Sequence, residues 1–257
     1  MQFSPQALIA RLLSSSRIVC FHHAYATQKL NRERICMTGK IRRSRSQTVG
    51  AVLWLCCFQF FVAEQIAMSA WKLPYSMSRN YISDLGEVHC TTIECSPLHA
   101  LMNSSFVLQG MLIFIGAILV RKLFPANLLS QLALFFIMLS GVGVFLVGVA
   151  PEDAYATVHY AGAAEHFLLN TIGMALLGVV VMFRSRRPYG LYTLMSGLIG
   201  LAGTILLSRK IFLGLGAGGM ERVASYPFPL WLTVTGAILM LIPNGFRSVP
   251  SEAGAGW

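Results

Sequence analysis

Charge is what this chain has least of. Only 12% of its 257 residues are Asp, Glu, Lys or Arg, about half the roughly 25% share of a soluble domain. With 55% hydrophobic residues and a mean hydropathy of +0.63, that scarcity excludes an ordinary water-soluble fold and indicates an integral membrane protein. Acids are the rarer sign, ten against twenty Lys and Arg. The net charge of +10 does not mark a nucleic-acid binder. Nine of the twenty basic residues precede residue 47 and the others flank apolar runs, which is how topology signals are distributed, not a basic binding face.

Other absences narrow the class further. The apolar runs show no strand-like alternation, and lipid admits only helices or closed barrels, so the expected fold class is all-α. There is no Walker or dinucleotide fingerprint, because the Gly214–Gly219 run precedes no G-K-[S/T]. Nothing resembles a nucleophile elbow. Residues 1–46 hold a single acid, Glu33, with neither a spanning run nor a secretory h-region and cleavage site. They read as a basic, disordered cytoplasmic segment, of which residues 1–36 are expected to add nothing to the fold. Alternatives are a true start at Met37 or an organelle transit peptide.

What remains is a membrane domain over residues 47–245 and a short tail over 246–257. Six runs are long enough to cross a bilayer: about 48–71, 98–120, 128–150, 161–183, 189–207 and 229–242, the last somewhat short. Trp71 closes the first at expected headgroup depth. A Gly-rich loop at 214–219 and Glu221-Arg222 precede the sixth. The 121–127 and 184–188 connections carry five basic residues and no acid, whereas 151–160 carries Glu152 and Asp153 and no basic residue. This asymmetry predicts cytoplasmic N- and C-termini, with the 72–97, 151–160 and 208–226 loops outside. His99-x-Leu-x-Asn103-Ser104 and the His166-x-Leu-x-Asn170-Thr171 pattern both open outside-entering spans, which suggests three repeated helical hairpins.

The stretch 80–103 concentrates chemistry between two apolar runs. His99 and Asn103 share a helix face, as do His166 and Asn170. His159 lies about 10 Å further out along the same helix as His166 if that helix extends so far. Polar side chains in a span turn away from lipid, so these faces should meet near the outer end. Glu64 sits at similar depth, and a carboxylate in a span costs about 2.5–3.5 kcal/mol near its centre, so Glu64, Asn103 and Asn170 are expected to be buried polar groups, with His99 or His166 as Glu64's partner. Three roles fit the cluster. The histidines cap helices or bond across spans; Asp84, His99, His159 and His166 hold zinc; or Ser83 or a water is activated by a histidine for acid/base chemistry, with Asp84, His99 and His166 as catalytic candidates. Cys90 and Cys95 favour a disulfide in an oxidising compartment, while the interleaved H-C-x4-C-x3-H from His89 to His99 offers a zinc alternative. The recurrent glycines from Gly110 to Gly178 read as close-packing positions.

The order of motifs resembles a known family. A span with W-L-x-x-x-Q-F is followed by N-Y-I-S-D-L-G, C-S-P-L-H-A-L-M-N-S-S-F-V-L-Q-G, V-G-V-A-P-E-D, and G-L-G-A-G-G-M-E-R ahead of Trp231. Over about residues 50–243 this is similar to the domain-of-unknown-function 998 family of bacterial multi-span membrane proteins. The resemblance implies a six-helix membrane body and no established activity. A fainter likeness, through I-S-D, to the eukaryotic lipid-associated FRAG/DRAM/Sfk family carries over only a lipid association, and Leu85 departs from that family's pattern. The expected function is binding or handling of a lipid or small solute at the outer end. A metal-dependent membrane hydrolase using the His/Asp set is the alternative, and a small-solute transporter is third. The expected partners are the lipid bilayer and such a ligand, with no nucleic acid.

Overall fold

A computed structural model describes residues 43–72, 74–91, 95–184, 186–242 and 245–246. The expectations about the N-terminal segment, Met37 and the last residues fall almost wholly outside them. Among the described residues there is no strand. Helices α1 (Arg45–Leu55) and α2 (Gln59–Ser69), joined by a 3-10 turn at Cys56–Phe58, form the first span. The other spans are α3 (His99–Val120), α4 (Leu128–Val149), α5 (Glu152–Arg184), α6 (Arg187–Ser208), and α7 (Gly216–Ser225) running into α8 (Pro227–Leu241). Six helical segments are long and apolar enough to cross a membrane, and a 22-residue helix such as α4 reaches about 33 Å, against about 30 Å of hydrocarbon. Phe58, Ile115, Leu132 and Phe135 stand exposed on the outside of the bundle, where lipid replaces water. The protein is a multi-pass membrane protein.

Local chemistry sets the helix ends. Ser44 and Gln47 form a capping box at the start of α1, with Ser44 Oγ accepting from Gln47 N at 3.3 Å. Asn127 caps α4 by accepting from Ser130 N at 2.9 Å. Two boundaries differ from the expected ones. Helix α5 begins at Glu152, not near 161, so His159 is helical. The sixth span begins at Gly216, not near 229. Gly214 and Gly216 turn the chain with φ of 81° and 77°, and Gly218 is already inside the helix. A Cβ on Gly218 would lie 1.9 Å from Asn80 O, so the Gly-rich stretch is a contact surface for the 77–80 segment and not a free loop.

Each span packs on its neighbours in chain order, and the first also packs on the sixth, which closes the bundle into a ring. Close backbone approaches tighten it: a Cβ on Gly110 would meet Gly141 O at 2.5 Å. An aromatic core fills one end of the ring. Trp54 lies 5.5 Å from Trp231 and 6.1 Å from Phe124, and Phe246 stacks on Tyr189 at 4.0 Å. The polar tips in that core are satisfied: Trp231 Nε1 donates to Thr193 Oγ1 at 2.9 Å, and the Tyr189 and Thr235 hydroxyls bond at 2.7 Å. At this basic end Arg43 Nη2 donates to Ile242 O at 2.6 Å and Phe246 N to Leu123 O at 2.6 Å. The opposite end carries the described residues 70–72, 74–91 and 95–98 of the first connection, with 150–151 and 209–215. Trp71 is turned inward there and packs edge-on against Tyr75 at 5.3 Å.

Candidate functional site

Three sequence-distant motifs meet at that opposite end and build a roof over the bundle. The I-S-D-L-G segment forms a 3-10 turn at Ser83–Gly86. Asp84 closes it by accepting from Tyr81 N at 2.8 Å and, at the limit, from Asn80 Nδ2 at 3.5 Å. The second motif holds the turn from below: Ser96 Oγ donates to Leu85 O at 2.7 Å and Asn103 Nδ2 donates to Gly86 O at 2.8 Å. Only glycine fits at 86, because a Cβ there would stand 2.3 Å from Asn103 Oδ1. The third motif supplies Glu221, whose carboxylate accepts from Ile82 N.

Arg222, beside Glu221 on α7, ties the roof to the first span. Its Nη1 donates to Met77 O (3.0 Å), Asn80 O (3.0 Å) and Gly218 O (2.9 Å). Its Nη2 donates to Tyr75 OH at 2.7 Å and pairs with Glu64 Oε1 at 3.0 Å. Its Nε donates to Tyr226 OH at 3.1 Å, and that hydroxyl donates to Glu64 at 2.8 Å. Both members of the ion pair are buried, Glu64 at 0% exposure. Burial pushes the Tyr75 phenol above its ordinary range; it therefore stays neutral, accepting from Arg222 and donating to Tyr81 O at 2.7 Å.

This corrects the expected partner of Glu64, which is Arg222 with Tyr226 and not a histidine. The reason is the early start of the sixth span, which carries Arg222 down into the bundle. Glu221, Arg222, Tyr75 and Tyr226 are the residues that sequence reasoning misses. The available signal was a lone acid in span one and an adjacent acid–base pair just ahead of span six, since charges inside a bundle occur paired.

The histidines serve separate segments. His99 Nδ1 donates to Ser96 O at 3.0 Å, within the first turn of α3. His166 Nδ1 donates across to Ser140 O on α4 at 2.8 Å. His159 Nδ1 donates to Ala150 O at 2.9 Å, with Nε2 3.7 Å from Glu152 Oε2. Among the described residues no three His, Cys, Asp or Glu side chains are grouped to hold a metal ion, so Asp84, His99, His159 and His166 do not gather into the zinc set. Cys90 and Cys95 are joined as a disulfide, and a disulfide has no thiolate to offer zinc. That loop is fastened to α5 by Asp153, which accepts from Val88 N (3.2 Å), His89 N (2.7 Å) and His89 Nδ1 (2.8 Å). Asn170 is fully buried and donates to His166 O at 2.7 Å, leaving its Oδ1 without a partner, whereas Asn103 is only half-buried.

Beneath the roof lies a cavity of about 60 Å³, where a single water needs roughly 10–15 Å³. Its polar lining comes from Ser83, Gln109, His159, His166, Glu221 and Ser225. Phe60, Phe106, Phe167 and Phe228 supply apolar walls. Ser225 Oγ is buried without a hydrogen-bond partner. Of the residues singled out by sequence, Ser83, His159 and His166 thus share one cavity, while Asp84 and His99 support its surroundings. The chain matches no curated protein and no solved structure. The model of the family described as Protein of unknown function (DUF998) matches residues 48–238. That range covers most of the chain and every motif that builds the roof, and the chain belongs to the DUF998 family.

Proposed function

We propose that the cavity beneath the roof is a binding site for a small amphipathic molecule, a lipid or a small solute, and that it opens toward the extracytoplasmic side. The supporting observation is the mixed lining: aromatic walls that suit an apolar group, and six polar side chains of which Ser225 has no partner among the described residues. Ligand sites commonly combine an apolar concavity with a few converging polar groups. The orientation rests on the basic residues Arg121, Lys122, Arg184, Arg186 and Arg187 at the far end. On this reading the protein sits in a bacterial inner membrane with both termini in the cytoplasm.

Native mass spectrometry of the full chain, purified in mild detergent, tests the binding. Wild type should retain a bound small molecule. Ala163→Leu, which adds three carbons to a residue lining the cavity, should lose it while melting within a few degrees of wild type. Equal retention by the two proteins would remove the cavity from consideration.

A further inference from the structure

We propose that this cavity selects a ligand whose buried end donates hydrogen bonds, a hydroxyl or an ammonium on an amphipathic molecule, and rejects an anionic head. The inference rests on the reading of the cavity as a binding site and specifies its chemistry.

The imidazole tautomers carry the first part of the argument. His159 Nδ1 and His166 Nδ1 each face a backbone carbonyl, Ala150 O at 2.9 Å and Ser140 O at 2.8 Å. A carbonyl oxygen only accepts, so each Nδ1 bears the proton; the neutral His166 ring then leaves Nε2 as an acceptor, while His159 Nε2 faces Glu152 Oε2 at 3.7 Å. Both rings line the cavity. They lie seven residues apart on α5, so one stands about 10 Å below the other.

Charge carries the second part. The Glu221 side chain lines the cavity and accepts the backbone N–H of Ile82. Glu152 lies within 3.7 Å of His159 Nε2. Among the described residues, no Lys or Arg is in the lining. The nearest cation in sequence, Arg222, directs its guanidinium to Glu64, Tyr75, Tyr226 and the carbonyls of Met77, Asn80 and Gly218. The donors facing the cavity are neutral: the Ser83 and Ser225 hydroxyls and the Gln109 amide, whose Oε1 is already taken by Gln59 Nε2 at 3.1 Å. An anion brought here would be desolvated without a Lys or Arg in the described lining to pair with it.

Ser225 marks where the ligand's polar atom belongs. It sits one turn beyond Glu221 on the same face of α7, is 8% exposed, and its Oγ has no partner. A hydroxyl or ammonium beside Glu221, Ser225 and the His166 imidazole would supply a donor to the acceptors and meet the orphaned serine.

The test uses the full chain in nanodiscs with 1-dodecanol, dodecylamine and dodecyl phosphate at equal mole fraction, and 2-aminoethanol in the aqueous phase, read by native mass spectrometry. Occupancy by the alcohol or the amine should exceed that by the phosphate at least tenfold, and both Ser225→Val and Ala163→Leu should abolish the excess. Binding of 2-aminoethanol sensitive to the same variants supports the same chemistry with a free solute as its source. Dodecyl phosphate occupancy that equals or exceeds the others and disappears in Ala163→Leu overturns the inference while leaving the binding site standing. If no probe shows occupancy sensitive to Ala163→Leu, the binding-site reading fails and this inference with it.

Discussion

The pair between Glu64 and Arg222 gives the sharpest test of how the roof is held. Arg222→Met keeps an unbranched apolar side chain but removes every guanidinium donor. It leaves the Glu64 carboxylate, at 0% exposure, with the Tyr226 hydroxyl as its remaining hydrogen bond among those described. Removing one partner of a buried ion pair costs about 3–5 kcal/mol, and the carbonyls of Met77, Asn80 and Gly218 lose their donor as well. Glu64→Gln is milder, because the guanidinium keeps those carbonyls, Tyr75 and Tyr226. A loss of about 1–3 kcal/mol is expected, the usual cost of leaving a buried polar group poorly satisfied. The double variant should cost less than the two singles together, with a coupling of about 0.5–3 kcal/mol. Equilibrium unfolding in mixed micelles measures all three, and hydrogen exchange at residues 77–86 reports whether the roof loosens in Arg222→Met. Additivity within about 0.5 kcal/mol, or unchanged exchange at the roof, would refute the reasoning.

Gly86→Ala should destabilise by about 1–3 kcal/mol, because its Cβ would meet Asn103 Oδ1 at 2.3 Å; part of that loss should return in Gly86→Ala combined with Asn103→Ala, and thermal melts decide. Replacing His99 and His166 by Ala, separately and together, should give additive losses within about 0.3–0.5 kcal/mol, since one bonds Ser96 O and the other Ser140 O; a larger coupling would show that they share a site. Reporter fusions after Arg187 should read cytoplasm and fusions after Asp153 outside; the reverse at either position overturns the orientation. Non-reducing peptide mapping should recover the 90–95 segment as one cross-linked peptide, and two free thiols would contradict the Cys90–Cys95 bond.

Run length and flanking charge locate five of the six spans from sequence, because bilayer thickness imposes the same length on every crossing. The sixth is different. Gly214, Gly216, Gly218 and Gly219 read as a loop, since glycine weakens a helix by about 1 kcal/mol relative to alanine. Here the missing side chain is what lets residues 77–80 lie against α7, a contact that no local pattern reveals. The site divides along the same line. His166 and Asn170 are buried as their shared face predicts, whereas His99 and Asn103 are only half-buried; spacing cannot say what each imidazole meets, and in each case it is a backbone carbonyl. The motif residues around Asp84 stand out as a cluster, yet their role as a roof depends on Glu221 and Arg222, more than 130 positions further along.

That separation has a bearing on biogenesis. Glu64 enters with the first span, and its hydroxyl partner Tyr226 follows 162 residues later, with Arg222 just ahead of it. At about 5–20 residues per second, translation leaves the carboxylate waiting for about 8–30 s. During that interval the nascent first span has to keep an acid out of hydrocarbon, by staying near the interface or by sheltering within the insertion machinery. The last hairpin then arrives as the piece that locks the assembly, so a ribosome that stalls before α7 would release an intermediate with its roof unfastened and its acid exposed, a form that membrane quality-control proteases could distinguish from the finished ring.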